Sequence, residues 1–271
     1  MKEPFRLANG LLWLENWMDL NSKLVSGFTT LEGGTLEGDF KGLNIAYHVG
    51  DDPKQVLSNR ICVSEKIDIP LKNWVFAEQL HTTTIHKVTA GDLGSGVYDF
   101  ESGISATDGL YTKDINVVLA TFYADCTPLY FYAPNHQLIG VAHAGWRGTV
   151  NGIMHKMLQT LKEIEHIHPS EILVAIGPCI GRDAYRVDDT VINQVLKTDI
   201  PNITETFVDL GKGQYKFDPK LMNYKQALFE GIPSENILVS SYCTYTDKDL
   251  FYSHRRNPQS GRMMSFIALK E

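Results

Sequence analysis

The spacing of apolar and polar positions changes several times along the chain, and each change marks an element. Val56, Ile61 and Val63 are among the apolar positions of a helix predicted over residues 53–66, opened by Pro53. Residues 74–77 and 83–88 read as short strands. Residues 115–124 form a continuous apolar run of β-branched and aromatic side chains, the pattern of a strand buried on both faces. Residues 129–132 and 138–144 repeat it. From Thr149 the period becomes helical, with apolar residues at Ile153, Met157, Leu161 and Ile164. Strands are predicted over 172–176, 237–240 and 263–269, and a helix over 221–229. Helices and strands mix without strict βαβ alternation, which predicts an α+β fold. The expectation is a single domain over residues 1–271, with mixed β-sheets sandwiched by helices.

Charge and composition narrow the function. The 271 residues carry a net charge of −7, so no basic field invites nucleic acid or an anionic membrane. An anionic substrate would need local arginine or lysine. The opening stretch MKEPFRLANGLLWLENW has no sustained apolar core, and the longest apolar run contains Asn116 and is too short to span a bilayer. A cytoplasmic protein is expected, a monomer or homodimer. The four cysteines form no CxxC pair and read as reduced thiols.

Candidate chemistry gathers in ADCTPLYFYAPNHQLIGVAHAGWRG, residues 124–148. Pro134-Asn135 is a turn signal between two strands. A hairpin centred there sets Cys126 opposite His143, with their Cβ atoms about 5 Å apart on one face. Such a pair can hold a zinc ion. Equally, Cys126 can be a core thiol and His143 a strand-end residue. His81, in EQLHTTTIH, stands where a strand end could deliver a third ligand, with His86 as its competitor. In AGWRGT, Gly145 and Gly148 let the backbone approach a ligand, Thr149 can cap the following helix, and Arg147 can meet phosphate with two donors. Asp125, beside Cys126, reads as an anchor behind the site. Arg255, Arg256 and Arg262 form a basic cluster that could draw phosphate to the pocket.

Ordered blocks carry a resemblance that covers nearly the whole chain: GFTTLEGG, LNIAYHVGDDPKQVLSNR, QLH, TDGLYT, ADCTPLYF, VAHAGWRGTVNGI, GPCIG and FYSHRRNPQSGR. The sequence resembles the laccase-domain purine nucleoside phosphorylases of the YfiH/YlmD type, once called multicopper polyphenol oxidases. The resemblance implies a catalytic zinc site of His81, Cys126 and His143. It also implies phosphorolysis of adenosine, inosine and 5′-methylthioadenosine, with adenosine deamination as a further activity. The chain departs from the usual pattern at Tyr47, Thr127, Arg186 and His254, none of them a proposed ligand. Three protein ligands leave an open position, where a bound water of lowered pKa could act. His48 becomes a candidate for proton transfer or ribose contact and Arg60 for phosphate, against plainer roles as a capped turn and an ion pair. The rivals are a cysteine- or zinc-dependent hydrolase or amidase, a copper polyphenol oxidase and a non-enzymatic binding module. Multicopper chemistry needs many histidines, usually in HxH pairs; this chain has nine and one such pair, His166 and His168. Copper could still occupy the same ligands in vitro.

Overall fold

Strands buried on both faces need cover on both sides, and the architecture supplies it in four layers. The structure is a computed structural model that describes residues 2–35, 37–38 and 40–271. Its strands are β1 (Phe5–Ala8), β2 (Leu11–Leu14), β3 (Leu24–Thr29), β4 (Trp74–Phe76), β5 (Ile85–Lys87), β6 (Gly109–Thr112), β7 (Val118–Tyr123), β8 (Thr127–Ala133), β9 (Leu138–Ala144), β10 (Leu173–Ile176), β11 (Arg186–Asp188), β12 (Phe207–Gly211), β13 (Gln214–Phe217), β14 (Ile237–Val239) and β15 (Met263–Leu269). The helices are α1 (Glu15–Leu20), α2 (Pro53–Ile67), α3 (Trp146–Val150), α4 (Ile153–Glu163), α5 (Asp189–Val195) and α6 (Pro219–Phe229).

One six-stranded sheet runs β1-β2-β3-β15-β7-β4 and a second runs β14-β10-β8-β9-β6-β5, both with parallel and antiparallel pairs. Side-chain alternation sorts each strand between two cores. In β7, Leu119 and Tyr123 enter the core between the sheets, while Val118, Ala120 and Phe122 face the layer that holds Val63 and Ile67 of α2. In β8, Tyr130 and Tyr132 point into the same central core, while Leu129, Phe131 and Ala133 pack with Met154, Met157 and Leu161 of α4. The order is therefore helix, sheet, sheet, helix: an α+β fold with mixed sheets between helices. Each large apolar side chain buried this way contributes about 1.5–3 kcal/mol; Leu119→Ala, at 0% exposure, should cost about 2–5 kcal/mol. A third, three-stranded sheet, β11-β13-β12, packs with α5 around Val187, Val191, Ile192 and Phe217. No helix among the described residues is long and apolar enough to cross a membrane.

Several expectations shift. The strand expected over 115–124 begins at Val118, because Asn116 takes a positive φ of 58° and Ile115 stays exposed. The helix expected from Thr149 is two helices, α3 and α4, divided at Gly152 with φ 81°. Thr149 is buried inside α3, and Gly145 occupies the cap position without a side-chain cap bond. The β8–β9 loop is one turn of 3₁₀ helix, Pro134–His136, plus Gln137 at positive φ, so the register is Pro128↔His143 and Thr127↔Ala144. Cys126 is therefore not opposite His143 but just before β8 starts. The shift is an even number of residues, which keeps the two side chains on one face.

Candidate active site

The path from β7 to β8 makes the site. Tyr123 ends a strand of the first sheet and Thr127 begins a strand of the second, so residues 124–126 carry the chain across the seam. Asp125 makes that turn with φ 86°. Its carboxylate accepts from Thr244 Oγ1 (2.7 Å), Ser253 Oγ (3.0 Å) and the Arg255 amide (2.7 Å), tying two C-terminal loop segments behind the turn. Cys126 then faces His143, whose odd-numbered neighbours Ile139 and Val141 in β9 point into the central core.

His143 is buried at 3% exposure, and Asp108, just before β6, is fully buried. His143 Nδ1 donates to Asp108 Oδ1 at 2.8 Å, and the His143 amide donates to the Asp108 carbonyl at 2.7 Å. A carboxylate acceptor places the proton on Nδ1 and leaves Nε2 free toward Cys126. The same carboxylate accepts the His81 amide (3.1 Å), the Thr82 amide (2.6 Å) and the Thr82 hydroxyl (2.8 Å). Asp108 thus fixes the ring of one histidine and the backbone of the other. Burial alone would raise its pKa, but the His143 ring and the Thr82 donors hold it below the usual carboxylate range.

His81 lies between β4 and β5 at φ 60°, a left-handed conformation that costs a histidine free energy unless the surroundings impose it. Asp108 supplies one restraint. Gln79 supplies another: its amide accepts from the Phe122 N–H (2.7 Å) and donates to the Phe122 carbonyl (2.9 Å), pinning the loop to β7. His81 Nε2 reaches to 3.8 Å from Cys126 Sγ. Gly145 makes the closeness feasible, since a Cβ there would fall 2.5 Å from His81 Cδ2 and 3.3 Å from Cys126 Sγ.

The potential ligand atoms of His81, Cys126 and His143 all lie within 4.8 Å of one another, so the three can hold a metal ion. Burial pushes the Cys126 thiol up, but His143 and His81 beside it more than offset this and bring it down to about 6. Burial opposes charging of His143, while Cys126 and Asp108 together raise its pKa. Without metal the pair is biased toward thiolate and imidazolium.

A cavity of about 320 Å³ opens over the three residues, walled by His48, Phe100, Phe122 and Arg262. The His48 ring packs 4.9 Å from Phe100 and 5.7 Å from Phe122. Burial first, then Arg262, Arg60 and His143, lower its pKa to about 4, so it is neutral at pH 7. The other sequence candidates stand apart. Arg60 is 1% exposed, donates to the carbonyls of Ile45, Gly96 and Val97, and stacks on Tyr47 and Phe76, so carbonyls rather than an ion pair satisfy it. Arg147 is exposed over the Trp146 ring and does not line the cavity. His86 lies near Asp92 at 3.3 Å. Sequence reasoning gave no role to Asp108. Its signal was a carboxylate placed directly before the apolar run of β6, where burial demands a partner.

Relatives with this architecture are well represented. A purine nucleoside phosphorylase YlmD of Geobacillus stearothermophilus is 45% identical over 248 residues, covering 91% of this chain and 90% of that protein. A protein of the same name from Bacillus subtilis is 40% identical over 274 residues, covering 99% and 98%. The crystal structure of Bacillus licheniformis hypothetical protein YfiH matches with a TM-score of 0.95 and 42% identity, over 98% of this chain and 99% of that one. The YlmD crystal structure from G. stearothermophilus gives 0.95 and 42%, over 99% and 100%. The family described as multi-copper polyphenol oxidoreductase laccase matches residues 25–270, the span that contains both sheets' seam, the cluster of His81, Cys126 and His143 and the cavity above it, and the chain belongs to that family.

Proposed function

We propose that the chain is a zinc-dependent purine nucleoside phosphorylase, acting on adenosine, inosine or 5′-methylthioadenosine. The observation that carries the reading is the cluster of His81, Cys126 and His143, braced by a buried carboxylate at the floor of a cavity, in a chain 40–45% identical to proteins of that name. The donor set fits zinc: two imidazoles and a thiolate are the N/S ligands it prefers, and three protein ligands leave one position open. When bound, zinc would supply a Lewis acid beside the cavity. Asp108 holds the Nδ1 proton of His143 and so leaves the Nε2 lone pair free to bind a metal. His48, Phe100 and Phe122 exclude water and offer ring faces to the purine, with His48 neutral at working pH. In the reaction a phosphate oxygen bonds to C1′ of the ribose as the C1′–N9 bond breaks. The bonding pair leaves with the purine, which takes up a proton. Adenosine deamination is a side activity of the same pocket: water adds at C6 of the purine, the C6–N bond breaks, ammonia leaves and inosine forms. Four free cysteines suit a reducing compartment, which supports the cytoplasm.

Chromatography of adenosine incubated with the zinc-loaded protein tests this. Adenine formed only when phosphate is present upholds phosphorolysis, and inosine formed without phosphate reports deamination. A second reading has its own observation: a thiol brought down to about 6 between two imidazoles is also a nucleophile's setting. Turnover of an amide or ester panel that depends on Cys126, with no nucleoside product, would replace the first reading with this one.

A further inference from the structure

Phosphate is an anion entering a chain of net charge −7, so the cavity needs a local cation with donors to spare. Most arginines near the site have none facing it. Arg60 is turned onto buried carbonyls. Arg256 donates to the carbonyls of Thr244, Tyr245 and Phe251. Arg147 lies outside, on Trp146. Arg255 donates through Nη1 to the Arg186 carbonyl and faces an adjoining, smaller cavity of about 140 Å³, which shares Ala124, Cys126 and His254 with the first.

Arg262 differs. Its amide donates to Asn44 Oδ1 (2.9 Å), which fixes the backbone. Its Nη1 donates to the carbonyls of Ser260 (2.6 Å) and Gly261 (3.0 Å), which fixes the guanidinium. Nε and Nη2 have no protein partner among the described residues, and the side chain lines the cavity that holds His81, Cys126 and His143. A guanidinium anchored through Nη1 presents its Nε–Nη2 edge as a pre-aimed fork. That edge matches two oxygens of a tetrahedral or planar oxyanion, and its fixed geometry reduces the ordering cost of binding.

We propose that the Nε–Nη2 edge of Arg262 is the docking point for inorganic phosphate in this cavity. The identification of the anion as phosphate rests on the phosphorolysis reading; the existence of an oxyanion site does not. Arg262 is then the residue that sets the KM for phosphate, in the cavity it lines together with His81, Cys126, His143, His48 and Phe122.

Two readouts separate the layers. The first is phosphorolysis kinetics with each substrate varied. Arg262→Gln should raise the KM for phosphate tenfold or more and change the KM for nucleoside less than twofold. Arg262→Lys keeps the charge, loses the fork and should fall between. The second is thermal unfolding of the zinc-loaded protein with and without inorganic phosphate. Wild type should be stabilised by phosphate, Arg262→Gln should not, and Arg262→Lys should be stabilised less. If Arg262→Gln fails to fold for want of its Nη1 anchor, the lysine variant carries both readouts. If wild type cleaves no nucleoside but phosphate stabilisation is lost with Arg262, the phosphorylase reading fails and the oxyanion site stands. If phosphate stabilises the variants as fully as wild type, or if Arg255→Gln raises the KM for phosphate while both Arg262 variants leave it unchanged, the proposal is overturned.

Discussion

His143 and His81 reach the same point by opposite means. His143 sits in the second six-stranded sheet, inside a seven-residue strand paired on both sides. Its position follows from sheet register, and removing it would mean unzipping β9. His81 sits on an exposed loop at positive φ, and no strand pairing holds it. Its position follows from side-chain bonds: Asp108 on its amide and Gln79 on the neighbouring strand. One histidine is fixed by the backbone of the fold, the other by a few polar contacts that single substitutions can remove. Among the described residues, Asp108 is the side chain that hydrogen-bonds to both.

Breaking that shared group should have the largest effect. Asp108→Asn removes the charge that holds the Nδ1 proton of His143 and weakens the clasp on residues 81–82. Metal affinity or nucleoside turnover should fall about 10–100-fold, as measured by competitive metal titration and by steady-state kinetics. Next comes Gly145→Ala. Gly145 has φ −67°, which alanine adopts freely, so the fold should survive while the new Cβ displaces His81. About a tenfold loss of metal affinity with an unchanged melting temperature would locate the defect on the loop ligand; an equal loss of stability would contradict that. Gln79→Ala should act more mildly, by a few-fold, because Asp108 still grips the loop. The same titration run on Gln79→Ala ranks the two restraints.

The smallest expected effect at the site comes from a second buried carboxylate, and it sharpens the comparison. Glu165 accepts from Lys87 (2.8 Å), Lys113 (2.7 Å) and Tyr111 (3.1 Å), with its side chain 5% exposed. Burial would raise its pKa, but the two lysines and the tyrosine bring it down to about 2. A depressed folded-state pKa means stability that is fully present above the ordinary glutamate range, near pH 4.5, and lost as pH falls toward 2. Glu165→Gln should flatten that acid limb of the unfolding curve and leave metal content and turnover at neutral pH unchanged. Glu165, facing lysines, holds structure; Asp108, bound to the His143 ring and the His81 amide, braces the candidate site.

How much of this was readable in the sequence follows the same division. The strands Leu138–Ala144 and Met263–Leu269 were legible because burial on both faces gives unbroken apolar runs. Helix α2 was legible from its proline start and apolar positions. The turn at Asn9-Gly10, with both φ values positive, is a strong hairpin signal, yet β1 to β3 were not predicted. The third sheet was not predicted either, since its strands expose most of their side chains and carry little apolar pattern. Hairpin register could not be read, because the loop adds residues beyond Pro134-Asn135. At the site, His81, Cys126 and His143 come together in one cluster, while Asp108 and the free edge of Arg262 depend on contacts between residues far apart in the chain. Arg60 and Arg147 attracted notice by type and neighbours, and their actual partners are carbonyls and an indole ring.

The central claim is a single metal centre made of His81, Cys126 and His143. X-ray absorption at the zinc edge, on protein purified with zinc, tests it most directly. The account predicts one sulfur scatterer at about 2.3 Å and nitrogen or oxygen scatterers at about 2.0–2.1 Å, with the sulfur shell lost in Cys126→Ser. A zinc spectrum without sulfur, or a sulfur shell that persists in Cys126→Ser, would contradict it.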